Sequence, residues 1–210
     1  MTQVKTSRKK RSGESANDAV RGAREPAARS RILRIIAGRH RGRRLRFPAG
    51  VAIRPTPDRV RETLFNWLQP RIAGARVLDL FAGSGALGLE AISRGAASVT
   101  CVEKDRRAAA AIEALAREWN ETEVRVACAD ALDWLAQADG VFDIVFLDPP
   151  YDAGVLATAA AALATRRRLA ADARVFVESR ARDALPNLPD GWQSLRSGRA
   201  GEVGYHLYAT

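Results

Sequence analysis

Between residues 76 and 178 the chain repeatedly alternates a short apolar run with a helical stretch. Runs of strand type lie near 76–80, 98–103, 123–127, 142–147 and 173–178, separated by helical stretches near 85–94, 105–119, 131–138 and 153–169. Parallel neighbours need a long crossover between them, and a helix is the usual one. The pattern therefore predicts a mostly parallel sheet with helices on both faces. The end of the chain differs. Trp192–Arg196, a glycine-bearing turn at 198–204 and Tyr205–Tyr208 follow one another with no helix between, which predicts a C-terminal antiparallel hairpin. A chain of 210 residues has room for one such domain and a tail.

The region before the first core strand carries most of the basic charge. Residues 1–61 hold 18 Lys+Arg against 4 Asp+Glu, whereas residues 62–210 hold 16 against 20. A basic front on a mildly acidic body is the footprint of a polyanion-binding appendage. Residues 1–30 lack apolar periodicity and are expected to be a disordered basic tail. Residues 31–56 form a second unit. Two short β-like runs, Arg31–Ala37 and Arg43–Phe47, flank a turn with glycine, predicting a hairpin with seven arginines between residues 31 and 46. Arginine suits a bidentate grip on phosphate and stacking on bases. Arg54-Pro55-Thr56-Pro57-Asp58 then reads as a helix start, with Thr56 as N-cap, Pro57 as first helical residue and Pro70 as the stop.

Several chemistries are disfavoured. Cys101 and Cys128 each fall in a predicted strand and read as buried thiols in a reducing compartment rather than as a disulfide framework. His40 and His206 fit no familiar metal spacing with them, so no metal is expected. No apolar stretch approaches the ~20 residues that cross a bilayer, and no signal-like core opens the chain. A cytoplasmic monomer is the expectation.

The loop after the first core strand reads Gly83-Ser84-Gly85-Ala86-Leu87-Gly88, and Glu103 ends the next strand. Glycines there admit a ligand to the backbone, and a carboxylate at that distance can hold two ribose hydroxyls. Dinucleotides and nucleosides share this logic. Three acids favour S-adenosylmethionine over a nicotinamide cofactor. Asp79, before the glycines, would repel a pyrophosphate but suits an amino group and a sulfonium. Asp130 follows the third strand, placed to accept from an adenine amino group. The fourth strand ends in Asp148-Pro149-Pro150-Tyr151. There a carboxylate and the Pro149 carbonyl, on backbone stiffened by proline, can accept both hydrogens of a flat amine, and Tyr151 offers a stacking ring. Each acid also has an ordinary structural use, such as capping a turn or a helix.

Taken together, the segments from Arg54 to Asn66, Leu78 to Glu90 and Asp148 to Tyr151 resemble the bacterial 16S ribosomal RNA guanine-N(2) methyltransferase D family across residues 31–210. The resemblance implies a Rossmann-like class I methyltransferase fold over residues 57–210, with a seven-stranded α/β sheet and an N-terminal basic β-hairpin. It implies S-adenosylmethionine as donor and the 2-amino group of guanine 966 as target, in the small ribosomal subunit or its assembly intermediate. Site residues follow from the matched motifs together with the strand-end acids and the basic hairpin. Asp148, Pro149 and Tyr151 would be catalytic, and Asp79, Phe81, Gly83, Gly85, Glu103, Asp130 and Ala131 would hold the cofactor. Arg34, Arg39, Arg41, Arg43, Arg44 and Arg46 would bind RNA. Competing readings are a DNA amino-methyltransferase, a non-catalytic RNA-binding assembly factor and, more distantly, a nicotinamide oxidoreductase.

Overall fold

A computed structural model describes residues 1–2, 33–46, 56–150 and 155–210. The expected basic tail, Arg54 and Tyr151 therefore lie outside the described residues, apart from Met1 and Thr2.

Seven strands form one sheet. β3 (Arg76–Asp79), β4 (Ser98–Glu103), β5 (Val124–Cys128), β6 (Phe142–Leu147) and β7 (Leu169–Arg180) precede β8 (Gln193–Ala200) and β9 (Val203–Ala209). Their order across the sheet is β5-β4-β3-β6-β7-β9-β8. The first five run parallel, and β9 lies antiparallel between β7 and β8. Strand order reverses between β3 and β6, which opens a crevice at their carboxyl ends where such sheets bind ligands.

The crossover helices are α2 (Ala86–Ser93), α3 (Arg106–Glu118), α4 (Ala131–Gln137) and α5 (Val155–Thr165), with α1 (Asp58–Ile72) ahead of the sheet. Alternate residues of a strand face opposite sides, and β6 shows it. Ile144 and Phe146 enter one core with Leu64, Phe65, Leu89 and Ile112 from α1, α2 and α3. Val145 and Leu147 enter the other with Leu135, Leu156 and Leu163 from α4 and α5. Phe146 meets Phe65 and Phe176 edge-on, with ring centroids 5.9 and 6.3 Å apart, an arrangement favoured by the ring quadrupole.

The basic hairpin is present as β1 (Leu33–Arg34) paired antiparallel with β2 (Arg44–Leu45). Leu33, Ile35 and Leu45 are buried in the first core, whereas all six proposed RNA-binding arginines are exposed.

Four local expectations need correction. Pro57, not Thr56, occupies the N-cap of α1, because the Thr56 hydroxyl points to Asp148 instead. Pro70 does not stop α1. The helix runs on to Ile72, which is buried, and a proline so near the end forfeits only one intrahelical bond. Cys128 is exposed, since β5 is the edge strand of the sheet; Cys101 is buried as expected. The C-terminal turn is only Gly201-Glu202, with Gly201 at φ 62, and residues 198–200 and 203–204 belong to the strands. Gly198 continues a strand because its partner Tyr205 covers it: a Cβ there would lie 2.4 Å from the Tyr205 ring.

Candidate active site at the strand ends

Every acid singled out in the sequence falls at the carboxyl rim of the parallel strands. Asp79 ends β3, Glu103 ends β4, Asp130 follows β5 and Asp148 follows β6. β3 and β6 are direct neighbours, with Asp79 in register with Phe146 and the Leu80 amide donating to the Phe146 carbonyl at 3.2 Å. The glycine loop and the Asp148 segment thus leave adjacent strands on one side of the sheet.

Asp79 is 2% exposed and sits against the first turn of α2, accepting from the Gly88 amide at 2.9 Å. Burial pushes its carboxyl up to about 7, against the lowering effect of the Gly88 hydrogen bond, and the Glu103 charge adds to the rise. The same burial, with Asp79 as neighbour, holds the Cys101 thiol well above its ordinary value. A carboxylate this poorly compensated favours a cation beside it. An ammonium or sulfonium meets that demand, and a pyrophosphate does not. Gly88 lies close to these groups: a Cβ on it would come within 2.6 Å of Cys101 Sγ and 3.3 Å of Asp79 Oδ2.

Glu103 ties the loop to the second strand. One oxygen accepts from the Gly83 amide at 2.7 Å and the other from the Asp105 amide at 2.8 Å. Asp105, rather than Glu103, caps α3, accepting from Arg107 and Ala108 amides. Gly85 has φ 73 and no room for a side chain, because a Cβ would meet Ile112 Cγ1 at 2.8 Å. Its glycine therefore answers to helix packing as well as to any ligand. Phe81, partly buried, packs against the second core.

Asp130 is exposed and is the N-cap of α4, its Oδ1 accepting from Leu132 at 2.9 Å and Asp133 at 3.4 Å. Capping thus occupies the Oδ1 oxygen of Asp130. Ala131, the first residue of α4, is buried. Asp148 is half-buried and accepts from the Thr56 hydroxyl at 3.2 Å; Pro149 is buried and Pro150 exposed.

The hairpin arginines divide. Arg39 pairs with Glu121 at 2.5 Å, and the Arg43 guanidinium lies 5.5 Å from the Trp119 ring centroid. Glu121 also meets Nε2 of His40, a buried ring lying 4.9 Å from Trp119. Arg34 donates to the Gly42 carbonyl at 3.2 Å. Arg41, Arg44 and Arg46 are exposed.

A polar network not anticipated from the sequence fastens this hairpin to the sheet. Glu90, fully buried on α2, accepts from the Ile36 amide at 2.7 Å, the Ala37 amide at 3.0 Å and the Arg94 guanidinium at 2.6 Å. Arg61, fully buried on α1, lies 3.8 Å from Glu90 and donates to the Arg34 carbonyl at 3.0 Å and to Asp58 at 2.6 Å. Ser93 donates to the Ala37 carbonyl at 2.6 Å and accepts from the His40 amide at 3.0 Å. Gly38 fits only as glycine, since a Cβ would fall 1.9 Å from the Ser93 carbonyl oxygen. The signal in the sequence was charge at helix positions otherwise apolar: Arg61 beside Val60, and Glu90 between Leu89 and Ala91.

Known proteins match this architecture over most of its length. A family model described as conserved hypothetical protein 95 matches residues 33–209. Ribosomal RNA small subunit methyltransferase D of Escherichia coli (strain K12) is 45% identical over 176 residues, covering 84% of this chain and 89% of that protein. The chain belongs to the ribosomal RNA small subunit methyltransferase D family. Another member of that family, from Haemophilus influenzae, is 39% identical over 84% of this chain and 93% of its own length. A solved Escherichia coli structure, yhhF, described as a candidate methyltransferase, superposes with a TM-score of 0.79 at 45% identity, covering 84% of this chain and 97% of its own. Membership confirms the resemblance carried by the motifs, and the sheet is the Rossmann-like methyltransferase sheet of that family, with its antiparallel C-terminal strands.

Proposed function

We propose that this chain transfers a methyl group from S-adenosylmethionine to the 2-amino nitrogen of a guanine in 16S ribosomal RNA, guanine 966 by family resemblance. The enzyme belongs to an rRNA methyltransferase family, and S-adenosylmethionine is the donor that membership implies. What carries the reading is the adjacency of the Asp79–glycine-loop end of β3 to the Asp148 end of β6. One edge of the sheet thereby offers a cation-seeking carboxylate beside acceptors suited to an amine.

Asp79 would face the cationic end of the cofactor, the Glu103 region its ribose and Asp130 its adenine, with Phe81, Gly83, Gly85 and Ala131 completing the seat. The cofactor supplies an electrophilic methyl on sulfur. The chain must supply geometry. An aromatic amine is a poor nucleophile while its lone pair is delocalised into the ring. Asp148 and the Pro149 carbonyl, each accepting one N–H, would hold the amino group with its lone pair turned out of that plane. Orientation of this kind can account for several kcal/mol of a barrier, roughly 7–11 at best. Asp148 can also take the proton released once nitrogen is alkylated. Extruding the base costs a few kcal/mol, and a stacking ring such as Tyr151 would offset about 1–3 kcal/mol of it. The exposed arginines Arg34, Arg39, Arg41, Arg43, Arg44 and Arg46 would grip the surrounding strand, residues 31–56 acting as the RNA arm and 57–210 as the catalytic domain. On this reading the chain would work in the cytoplasm, as a monomer on the small subunit or its precursor. Among the described residues, no helix is long and apolar enough to cross a membrane, and no cluster of His, Cys, Asp and Glu is arranged to hold a metal.

Mapping methylated nucleotides in small-subunit RNA by mass spectrometry, from cells with and without the gene, tests the reading. Loss of one N2-methylguanine on deletion is expected. An unchanged methylation map would overturn it.

A further inference from the structure

Away from the hairpin, a cavity of about 310 Å³ is lined by Arg180, Ala181, Arg182, Arg199 and Glu202. Its place in the fold is informative. β7 runs parallel to β6 with Leu147 opposite Val177, so Arg180, the last residue of β7, stands on the same rim as Asp148. The two strands are direct neighbours, about 5 Å apart sideways, and Arg180 lies two residues beyond the position opposite Asp148. The opposite wall comes from the β8–β9 turn, held to the end of β7 by the Ala181 amide donating to the Glu202 carbonyl at 2.8 Å. Arg199 pairs with Gly204 and is braced by its Nε donating to the Gly201 carbonyl at 3.0 Å. Arg182 is exposed, with Asp183 3.7 Å away.

Charge sharpens the point. Residues 62–210 carry 16 Lys+Arg against 20 Asp+Glu, yet this lining holds three arginines and one carboxylate. A locally basic hollow on an acidic body, formed by planar forks rather than ammonium groups, matches the phosphodiester of a nucleic acid. An enzyme that takes a base out of its stack must hold the backbone flanking the extruded nucleotide. The hairpin is fastened to the far end of α2 through Ser93, whereas this cavity stands on the β7 side of Asp148 at the rim itself.

We infer that Arg180, Arg182 and Arg199 form a second RNA phosphate clamp, beside the target nucleotide on the β7 side of Asp148 and separate from the basic hairpin. The inference rests on the methyltransferase reading above, and its test separates the two. Methyl transfer from labelled S-adenosylmethionine to unmethylated small ribosomal subunits would be followed with the full chain and the Arg182→Gln/Arg199→Gln variant, over a range of salt concentrations. Filter retention of the same subunits would be measured in parallel. The clamp predicts KM and the retention constant raised about tenfold, kcat within about twofold, and a salt dependence shallower by about one to two charges. Cofactor affinity should not change, which also reports that the variant is folded. Arg182→Gln alone, at an exposed position, should show part of the effect, and Arg182→Lys should restore most of it. Unchanged retention with an unchanged salt slope overturns the clamp. Wild-type protein that retains subunits but methylates nothing overturns the functional reading instead, and the retention series still decides the clamp.

Discussion

The Thr56 hydroxyl donates to Oδ2 of Asp148 across 3.2 Å, joining the chain just ahead of α1 to the end of β6. Thr56 is buried, although its sequence position resembles that of a surface helix cap. The hydrogen bond anchors the Oδ2 oxygen of Asp148 and so orients its carboxylate. A net hydrogen-bond worth of about 1 kcal/mol corresponds to five- to tenfold in rate. Thr56→Val should therefore lower kcat by roughly that factor with little change in cofactor affinity, and Thr56→Ser should recover it. Single-turnover kinetics on small subunits would measure both. Equal rates for Thr56→Val and wild type would show that the contact does not position Asp148.

Asp148→Ala removes the acceptor altogether. Cofactor binding, measured by calorimetry, should stay within a few-fold, while methyl transfer should fall by at least about 100-fold, the lower end of what a positioned acid–base group contributes.

The Asp79 carboxyl, raised to about 7, links donor binding to pH. A cation beside it favours the ionised form, so binding below pH 7 must expel a proton. Affinity should fall by roughly tenfold per unit as pH drops below 7 and level off above it. Calorimetry in buffers of different ionisation enthalpy would show the proton release, and Asp79→Asn should abolish it. Stability of the free protein has the opposite dependence. The folded carboxyl holds its proton to higher pH than the unfolded one. Its contribution is therefore full below about 4 and lost as pH rises through about 7.

Glu90→Ala removes the buried carboxylate that faces the Arg61 and Arg94 guanidiniums and leaves the Ile36 and Ala37 amides without it. Breaking a buried pair of this sort typically costs about 3–5 kcal/mol. Thermal unfolding should show that loss, and amide exchange at residues 36 and 37 should accelerate. Protection unchanged at those two amides would mean that Glu90 does not hold the hairpin.

Among the arginines of the arm, Arg41→Gln/Arg44→Gln should weaken subunit binding and its salt dependence without lowering the melting temperature, because both side chains are exposed. Arg39→Gln should also destabilise the arm, through loss of the Glu121 pair. A melting temperature equal to wild type for Arg39→Gln would remove that distinction.

Periodicity and turn chemistry made the sheet legible. Each parallel strand is an apolar run closed by an acid or a turn, so Asp79, Glu103, Asp130 and Asp148 could be assigned to one rim before any coordinates. Local rules failed where a distant residue won the competition. Thr56 and Pro57 carry the signals of an N-cap and a first helical residue, but the hydroxyl is claimed by Asp148, 92 positions away. Gly85 reads as a ligand-contact glycine, yet Ile112 alone would forbid a side chain there. Spacing gave no hint that Glu90 reaches back to residues 36 and 37, because its neighbour at helical spacing, Arg94, offers an ordinary i, i+4 pair.

α2 is only eight residues long. Its first turn supplies the Gly88 amide to Asp79, and its last turn supplies Glu90 and Ser93 to the hairpin. At 1.5 Å per residue Gly88 and Ser93 are separated by about 7.5 Å of rigid rod. The limb proposed to meet the nucleic acid and the floor proposed for the methyl donor thus hang from one short spindle, and a substitution that turns it is expected to disturb both.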